Sequence, residues 1–371
     1  MARSRPAPIL AAPPAYLGLA AATVGVGAVL AMVIFMVIGG SAPVAAVAGL
    51  PGAGVIVGWL LPVARLAMDL AAVVTIGGLL YAAVLIPDRA PALGWPAERA
   101  LRIASWGALA WAVAAAFGAV LTLADISGLP VTELISSDGV VDRLVTVDQS
   151  RSLLLVVALA ALVCVCARRV STSEGPLLVL VLAAGTLVPP ILTGHAASHN
   201  DHELATVSLI VHVLAASAWV GGLGAVLLFR QQSPVKDAVT VARFSTVALV
   251  CFVTTAVSGL LNGWIRLATG DGLWSGLFTT GYGWLLLGKL AALAALGCFG
   301  WWHRRHTLVE LSAGRPKAFR RFAGREVLVM IGAIALAVAL SRTPTPGPGV
   351  TDLSPGDPGH QQHALSLFRS V

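Results

Sequence analysis

The sequence predicts an all-α, polytopic membrane protein, with one leading helix followed by a possible parallel repeat of two four-helix units. Hydrophobic residues make up 57% of the 371-residue chain and charged residues only 11%, whereas soluble domains carry roughly 25% charged residues. Apolar stretches long enough to cross a hydrocarbon layer of about 30 Å recur along the chain. The nine predicted spans run about 16–38, 62–86, 102–124, 150–167, 176–193, 203–229, 244–265, 282–302 and 325–341.

The Lys and Arg residues predict the orientation of these spans. They concentrate in alternate connections, of which the block from Arg304 to Arg325 is the largest, whereas the longest intervening loop, 125–149, is acidic. Because basic loops stay on the cytoplasmic side, we expect a multi-pass protein of the cytoplasmic membrane, with its N-terminus inside and its C-terminus outside. The net charge of +7 is accounted for by these loops, and no nucleic-acid site is expected.

The two ends of the chain differ from the apolar part between them. Residues 1–15 are a short polar segment, predicted to be cytoplasmic, and residues 342–371 form a Pro- and Gly-rich tail. Such a composition buries little apolar surface, so the tail is expected to be disordered. Residues 16–341 are predicted to form the transmembrane domain, and its outer surface is expected to contact membrane lipid.

An internal repeat is visible when the second and sixth spans are aligned. Met68–Leu79 and His212–Leu223 share Leu-Ala-Ala and Gly-Gly-Leu in the same register. Both spans are predicted to run in the same direction through the membrane. The repeat therefore predicts two parallel units, 62–193 and 203–341, of the kind that some transporters contain.

Three histidines lie close together just before the sixth span. His195, His199 and His202 are spaced by four and three residues, and Asp201 and Glu203 flank the last of them. Neutral imidazoles beside carboxylates suit copper or zinc, so this cluster is a candidate capture site on the outer side. The alternatives are a merely solvated loop and a sensor of pH.

A fourth histidine, His212, lies ten residues further along the same apolar span, which places it about 15 Å into the membrane. It is a candidate metal ligand on a permeation path or an axial ligand of haem. A haem held by two histidines needs a second one at matched depth, and no other histidine is predicted to lie in mid-span. A hydrogen bond that bridges two helices is the simplest alternative.

Three methionines lie in the outer half of the membrane domain. Met32 and Met36 are four residues apart on the first span, and Met68 is near the outer end of the second. Thioether sulfur is a soft ligand that suits Cu(I), so these residues are candidate metal ligands. Packing in an apolar core is the alternative for all three.

Two charged residues are predicted to lie inside the membrane. Asp69 and Lys289 are each about seven residues from the outer ends of their spans, so both lie roughly 10 Å deep. Because an unpaired charge at that depth is costly, we expect them to pair or to share a polar network with Arg65 and Asn262. This group is either a static link between helices or part of a gate.

No catalytic arrangement is apparent in the sequence. It contains no Ser/His/Asp or Cys/His set, no phosphate-binding loop and no nucleotide motif. The sequence therefore predicts a protein that is not an enzyme.

Three segments resemble the copper resistance D (CopD) family of bacterial membrane proteins. They are His212–Leu223, which is similar to the hallmark helix of that family, Ser258–Leu267 and Tyr282–Lys289, and the resemblance extends over roughly 60–345. The positions that match the family motif are His212, Trp219, Asn262 and Lys289.

The resemblance implies a copper-handling protein that moves copper inward across the cytoplasmic membrane. Actinobacterial relatives often continue into a domain that resembles the cytochrome c oxidase assembly factor CtaG, whereas this chain continues into a Pro-rich tail. Two other functions stay open. One is a haem-binding electron-transfer protein, and the other is a delivery factor that holds a periplasmic copper chaperone against the oxidase assembly machinery.

Overall fold

The computed structural model describes residues 15–44, 52–87, 93–193, 202–229, 234–268, 273–302, 305 and 316–344. In these ranges, nine helices are long and apolar enough to cross a membrane. The predicted all-α, polytopic class is therefore confirmed. The predictions for the polar N-terminal segment and for most of the C-terminal tail lie outside the described residues.

The helices are numbered α1 to α13 along the chain. Their bounds are α1 Ala15–Ile38, α2 Gly54–Leu80, α3 Trp95–Ser127, α4 Val131–Ser136, α5 Val140–Thr146, α6 Asp148–Arg169, α7 Gly175–Thr186, α8 Pro189–Leu192, α9 His202–Leu228, α10 Pro234–Ala268, α11 Leu273–Thr279, α12 Gly281–Trp302 and α13 Pro316–Arg342. A π-helical turn, Tyr81–Leu85, directly follows α2. The short helices α4 and α5 lie in the acidic connection between α3 and α6, and the side of the bundle that contains them is called the α4–α5 face.

Two spans differ from their predicted limits. Helix α2 begins eight residues before the predicted start and continues through Pro62, because Val57 is buried against residues of α3 and α4. The fifth span is divided into α7 and α8 at Leu187 and Val188. The division has a local cause, since Pro189 and Pro190 follow at once and lack the amide N–H that a continuous helix needs.

The N-terminal unit, α2 to α8, is held together by small side chains. Helix α3 packs along α2 on one side and along α6 on the other, and Ala104, Ala108, Ala115 and Ala119 are fully buried on it. Small residues let helix backbones approach closely in a membrane, where van der Waals packing drives association. The interface is tight at Gly78, where a Cβ would lie 2.8 Å from the Ala100 carbonyl oxygen.

The C-terminal unit, α9 to α13, is built with larger side chains. Helix α9 packs along α10, and α12 packs against α13. Trp219 of α9 is buried and meets Phe252 of α10 edge to face, with ring centroids 5.5 Å apart. Helix α1 packs mainly on α13 and thereby covers the same unit.

The two units meet where α2 crosses α9. Gly77 and Gly221 touch there so closely that a Cβ on either glycine would overlap the backbone of the other helix. These glycines are equivalent in the predicted repeat, and contact between equivalent residues is what a pseudo-twofold axis produces. Gly78 then faces α3, whereas Gly222 faces Phe244 of α10. The geometry agrees with a duplication, which itself stays a prediction.

Polar contacts join the helix ends at both faces of the bundle. On the α4–α5 face, Arg342 at the end of α13 forms an ion pair of 3.1 Å with Asp125 near the end of α3. On the opposite face, Arg243 of α10 donates to the Ile86 carbonyl oxygen at 2.6 Å, and the Tyr81 hydroxyl donates to the Phe229 carbonyl oxygen at 2.9 Å. The π-helical turn is thereby tied to both α9 and α10.

Candidate functional site

His212 is the centre of a polar site between α9 and α10. The ring is half-buried, and its Nδ1 lies 3.1 Å from the Ser258 hydroxyl oxygen. The ring packs against Gly259, and a Cβ added at that glycine would lie 3.1 Å from the His212 Cε1. Helix α10 therefore supplies both the partner and the space for this side chain.

The other contacts of Ser258 bear on the protonation of the ring. Its hydroxyl lies within donating distance of the Thr254 carbonyl oxygen, at 2.6 Å, and of the Thr255 carbonyl oxygen, at 3.3 Å. When the hydroxyl donates to the backbone, its oxygen accepts from the imidazole, which then carries its proton on Nδ1 and has the lone pair of Nε2 available. An outer partner that fixes the tautomer in this way is typical of histidines that bind metals.

The polar contacts continue for one more turn and form a ladder between the two helices. Asn262 donates its side-chain amide to the Ser258 carbonyl oxygen at 2.8 Å and to the Ser208 hydroxyl at 3.0 Å. Ser208 in turn donates to the Ser258 carbonyl oxygen at 3.2 Å. We call Ser208, His212, Ser258 and Asn262 the polar ladder. The helix-bridging hydrogen bond that was one alternative for His212 is thus present.

One further polar group of α10 lies near the ladder. The Thr255 hydroxyl is buried, and it has no hydrogen-bond partner among the residues that the structure describes. Buried hydroxyls are usually satisfied, and each exception calls for an explanation. Thr255 comes three residues before Ser258 on the same helix, so the orphan group belongs to the region around His212.

Lys289 of α12 does not form the predicted pair with Asp69. The Asp69 carboxylate lies 3.5 Å from the guanidinium of Arg65, one turn earlier on α2. Helix α13 packs against both α2 and α12, which keeps the two predicted partners on different sides. Asn262 belongs to the polar ladder rather than to an ion-pair network.

The three candidate methionines do not form one set. Met32 and Met36 are fully buried in an apolar cluster formed with residues of α2, α12 and α13. Met68 belongs to the core of the N-terminal unit, with its sulfur against Gly118 of α3. Met68 also lines two cavities next to charged side chains.

The predicted outer histidine cluster lies mostly beyond what the structure describes. His195 and His199 fall outside the described residues, and His202 begins α9 without a described side chain. Over the ranges that are described, no group of three or more His, Cys, Asp or Glu side chains could hold a metal ion. The capture site therefore stays a prediction.

Sequence reasoning missed the serines of the ladder. Ser208 precedes His212 by four residues, and Ser258 precedes Asn262 by four. Polar pairs at this spacing share one face of a helix, and in an apolar span they point to an interface with another helix. That signal was present in the sequence and could have identified both residues.

The fold and the polar ladder define a polytopic helical membrane protein with a polar site inside its bundle. Two family models match the chain: copper resistance protein D-like, N-terminal domain, over residues 56–203, and copper resistance protein D, over residues 238–340. The first falls on α2 to α8 and the second on α10 to α13. The resemblance to the copper resistance D family is therefore confirmed for both parts of the chain.

A curated relative is named for copper as well. The chain is 36% identical over 115 residues to the copper transport protein CutJ of Bacillus subtilis (strain 168), a match that covers 30% of this chain and 20% of the relative. The chain thus spans about a fifth of the length of that relative. No solved structure matches the chain. A CtaG-like domain stays a prediction.

Proposed function

We propose that the protein transports copper across the cytoplasmic membrane, with import as the direction. Both matching family models carry copper resistance in their names, and the CutJ relative is described as a copper transport protein. The observation that carries the proposal is the polar ladder, which holds an imidazole inside a membrane-spanning helix. A polar group at that depth is costly and usually marks a substrate path.

The chemistry of His212 suits copper as the substrate. When the proton is on Nδ1 and shared with Ser258, Nε2 can donate its lone pair to a metal ion, and imidazole is a good ligand for copper. A transport site must also release its ion, since an ion that binds too tightly does not leave.

The proposed path begins at the predicted cluster of His195, His199 and His202. Helix α9 starts at His202, and His212 lies ten residues further on, about 15 Å along the helix axis. Copper captured outside would pass to His212 and leave at the basic loops on the inner side. Supply by a periplasmic chaperone and onward delivery to an oxidase assembly factor are compatible with this path.

The test compares copper uptake by cells that contain the wild-type protein, His212→Gln or no protein, under copper limitation. The Gln variant keeps a polar side chain but loses the imidazole, so we expect uptake to fall to the level of cells without the protein. Thr246→Ala is the matched control, because Thr246 is exposed on α10 and bonds only within its own helix. Equal uptake with and without the protein would refute transport in this direction.

Analysis of the copper and haem bound to the purified protein distinguishes copper transport from the haem alternative. We expect bound copper to decrease in His212→Gln, and we expect no Soret absorption in the wild type. Haem that is present in the wild type and lost from His212→Gln would instead establish an electron-transfer protein.

A further inference from the structure

Two adjoining cavities lie where the N-terminal unit meets α9 and α13. The larger has a volume of about 130 Å³ and lies toward the α4–α5 face, where Arg342, Ser341 and Thr122 line it. The smaller has a volume of about 20 Å³ and is lined by residues of α2, α3, α6, α7, α8 and α9. Arg65 and Met68 line both, so these two side chains form the boundary between the cavities.

The volumes limit what each cavity can hold. A cavity needs roughly 10 to 15 Å³ to hold one water molecule, so the smaller one holds a single water or a small ion. The larger one has room for several waters. The larger cavity therefore adjoins a site for one particle, and Arg65 lines both.

The walls of the small cavity combine three properties that suit a soft cation. Of the residues that line it, Asp69 has a carboxylate and Trp111 an aromatic ring, and Met68 has a thioether whose sulfur lies at the boundary, against Gly118 of the larger cavity. Thioether sulfur prefers soft metal ions, a carboxylate supplies the opposite charge, and an aromatic face attracts cations. A hard cation would require more oxygen ligands than these walls provide.

The ion pair in this cavity is loosely formed. The Arg65 Nε lies 3.5 Å from the Asp69 oxygen, and the two side chains are 42% and 32% exposed. A charge-assisted hydrogen bond is normally about 2.7 to 2.9 Å long. Arg65 therefore neutralises Asp69 without satisfying it closely, and a cation can compete for the carboxylate.

The place of Met68 in its unit corresponds to that of His212 in the other. Each precedes its crossing glycine, Gly77 or Gly221, by nine residues. Each also packs on a glycine of the helix that follows, since Gly118 faces the Met68 sulfur and Gly259 faces the His212 ring. Both units thus place a metal-ligating side chain at the same position of the fold.

We propose that the small cavity binds one Cu(I) ion through the Met68 thioether and the Asp69 carboxylate. Arg65 closes this site toward the larger cavity until the ion takes its place beside Asp69, after which the guanidinium turns to the hydroxyls of Thr122 and Ser341. The ion enters as Cu(I), so no electron is transferred. The choice of copper among soft cations rests on the proposed function.

The test measures binding of Ag(I), a soft monovalent ion that does not change its oxidation state, to the full chain purified in detergent. Met68→Leu removes the sulfur with little change in volume. Met330→Leu is the matched control, because Met330 is equally buried, at 1% against 4% exposure, in the other unit. We expect Met68→Leu to lose one equivalent of Ag(I), together with its Ag–S signal in X-ray absorption, and the control to lose neither. Equal binding and equal spectra in the two variants would overturn the site.

A second variant tests the role of Arg65. Because the guanidinium competes with the ion for Asp69, Arg65→Gln is expected to bind Ag(I) at least tenfold more tightly, and the double variant with Met68→Leu is expected to lose that gain. A residue that only stabilised the fold would leave the affinity unchanged or lower it. Either of those results would overturn the proposed closure.

Measurement of copper flux into proteoliposomes distinguishes a failure of the proposed site from a failure of the proposed function. If the wild type moves no copper while Ag(I) binding still depends on Met68, transport is refuted and the site stands. If the wild type moves copper and Met68→Leu equals the Met330→Leu control in both binding and flux, the site is refuted and transport stands.

Discussion

The two halves of the membrane bundle differ in how completely they bury their helices. In the N-terminal half, 56% of the apolar window of α3 is buried inside the bundle, whereas in the C-terminal half only 17% of the apolar window of α10 is buried. Helix α3 is enclosed by α2 and α6, and its buried face is rich in alanine. Helix α10 packs mainly on α9 and bonds to it through the polar ladder.

This difference shows two ways of placing a polar group inside a membrane. The N-terminal half places its charged pair, Arg65 and Asp69, beside cavities that leave both side chains partly exposed. The C-terminal half satisfies His212 by side-chain hydrogen bonds to a neighbouring helix. The tightly packed N-terminal half thus has cavities beside its charged pair. The more loosely packed C-terminal half has a hydrogen-bonded network around its histidine. The variants below test whether the two halves depend on these different means.

The largest effect is expected at the junction between the halves. Gly221→Ala would place a methyl group into the backbone of α2, so the helices must separate, and we expect a loss of about 3 kcal/mol in the free energy of unfolding. Gly224→Ala on the same helix is the control, since a Cβ there meets nothing within 4 Å, and a small gain is expected. Denaturant titration in micelles, followed by tryptophan fluorescence, measures both. Equal stabilities would show that the halves are not held by this contact.

The next effect concerns the link at the opposite face. Arg243 donates to the carbonyl oxygen of Val84, within the π-helical turn, and to that of Ile86, directly after it. Arg243→Ala leaves these acceptors without a charged donor, which should cost about 2 kcal/mol, and Arg243→Lys should recover part of the loss. Hydrogen exchange should increase first around Tyr81–Leu85. Unchanged exchange there would contradict a role of Arg243 in joining the halves.

A smaller effect is expected within the polar ladder. Ser258→Ala removes the partner of the His212 Nδ1, and we expect a loss of about 1.5 kcal/mol. Combination with Asn262→Leu should cost less than the sum of the single changes, because both residues belong to one network. The exposed Thr246→Ala on the same helix is the control for unfolding titrations. Additive losses would show that the ladder does not act as a unit.

The smallest effect is expected for the aromatic pair of the C-terminal half. The rings of Trp219 and Phe252 meet at 80°, a geometry that contributes about 1 kcal/mol beyond area burial. A double-mutant cycle with Trp219→Leu and Phe252→Leu should report a coupling of that size. No measurable coupling would indicate that the larger side chains of this half only fill space.

The membrane-spanning helices were predictable because only long apolar segments can cross the hydrocarbon layer as helices. In the part of the chain that the structure describes, the nine helices long enough to cross a membrane follow the apolar stretches, since a segment in hydrocarbon must satisfy its backbone polar groups internally. Their limits were less predictable. Helix α10 begins ten residues before the predicted 244, at Pro234, because Val241 is buried beside residues of α9. Contacts of this kind extend a helix beyond its apolar core.

The candidate site was predictable only in part. His212 stands out as a histidine in an apolar span, whereas its partner Ser258 lies 46 residues away in the sequence. Asp69 was expected to pair with Lys289 or to share a polar network with Arg65 and Asn262, and of these it meets Arg65. Depth can be counted along a helix, but the rotation of that helix and the identity of its neighbour decide which side chains meet.

By itself, the sequence determined the helical class, the nine spans found among the described residues and the matched Gly-Gly-Leu segments, because these depend on local composition and spacing. Only the tertiary structure decided that Gly77 and Gly221 touch and that cavities adjoin Met68. The physical reason is that these features arise between helices. In a membrane, close packing and hydrogen bonds between neighbouring helices select one arrangement among the many that the same apolar spans permit.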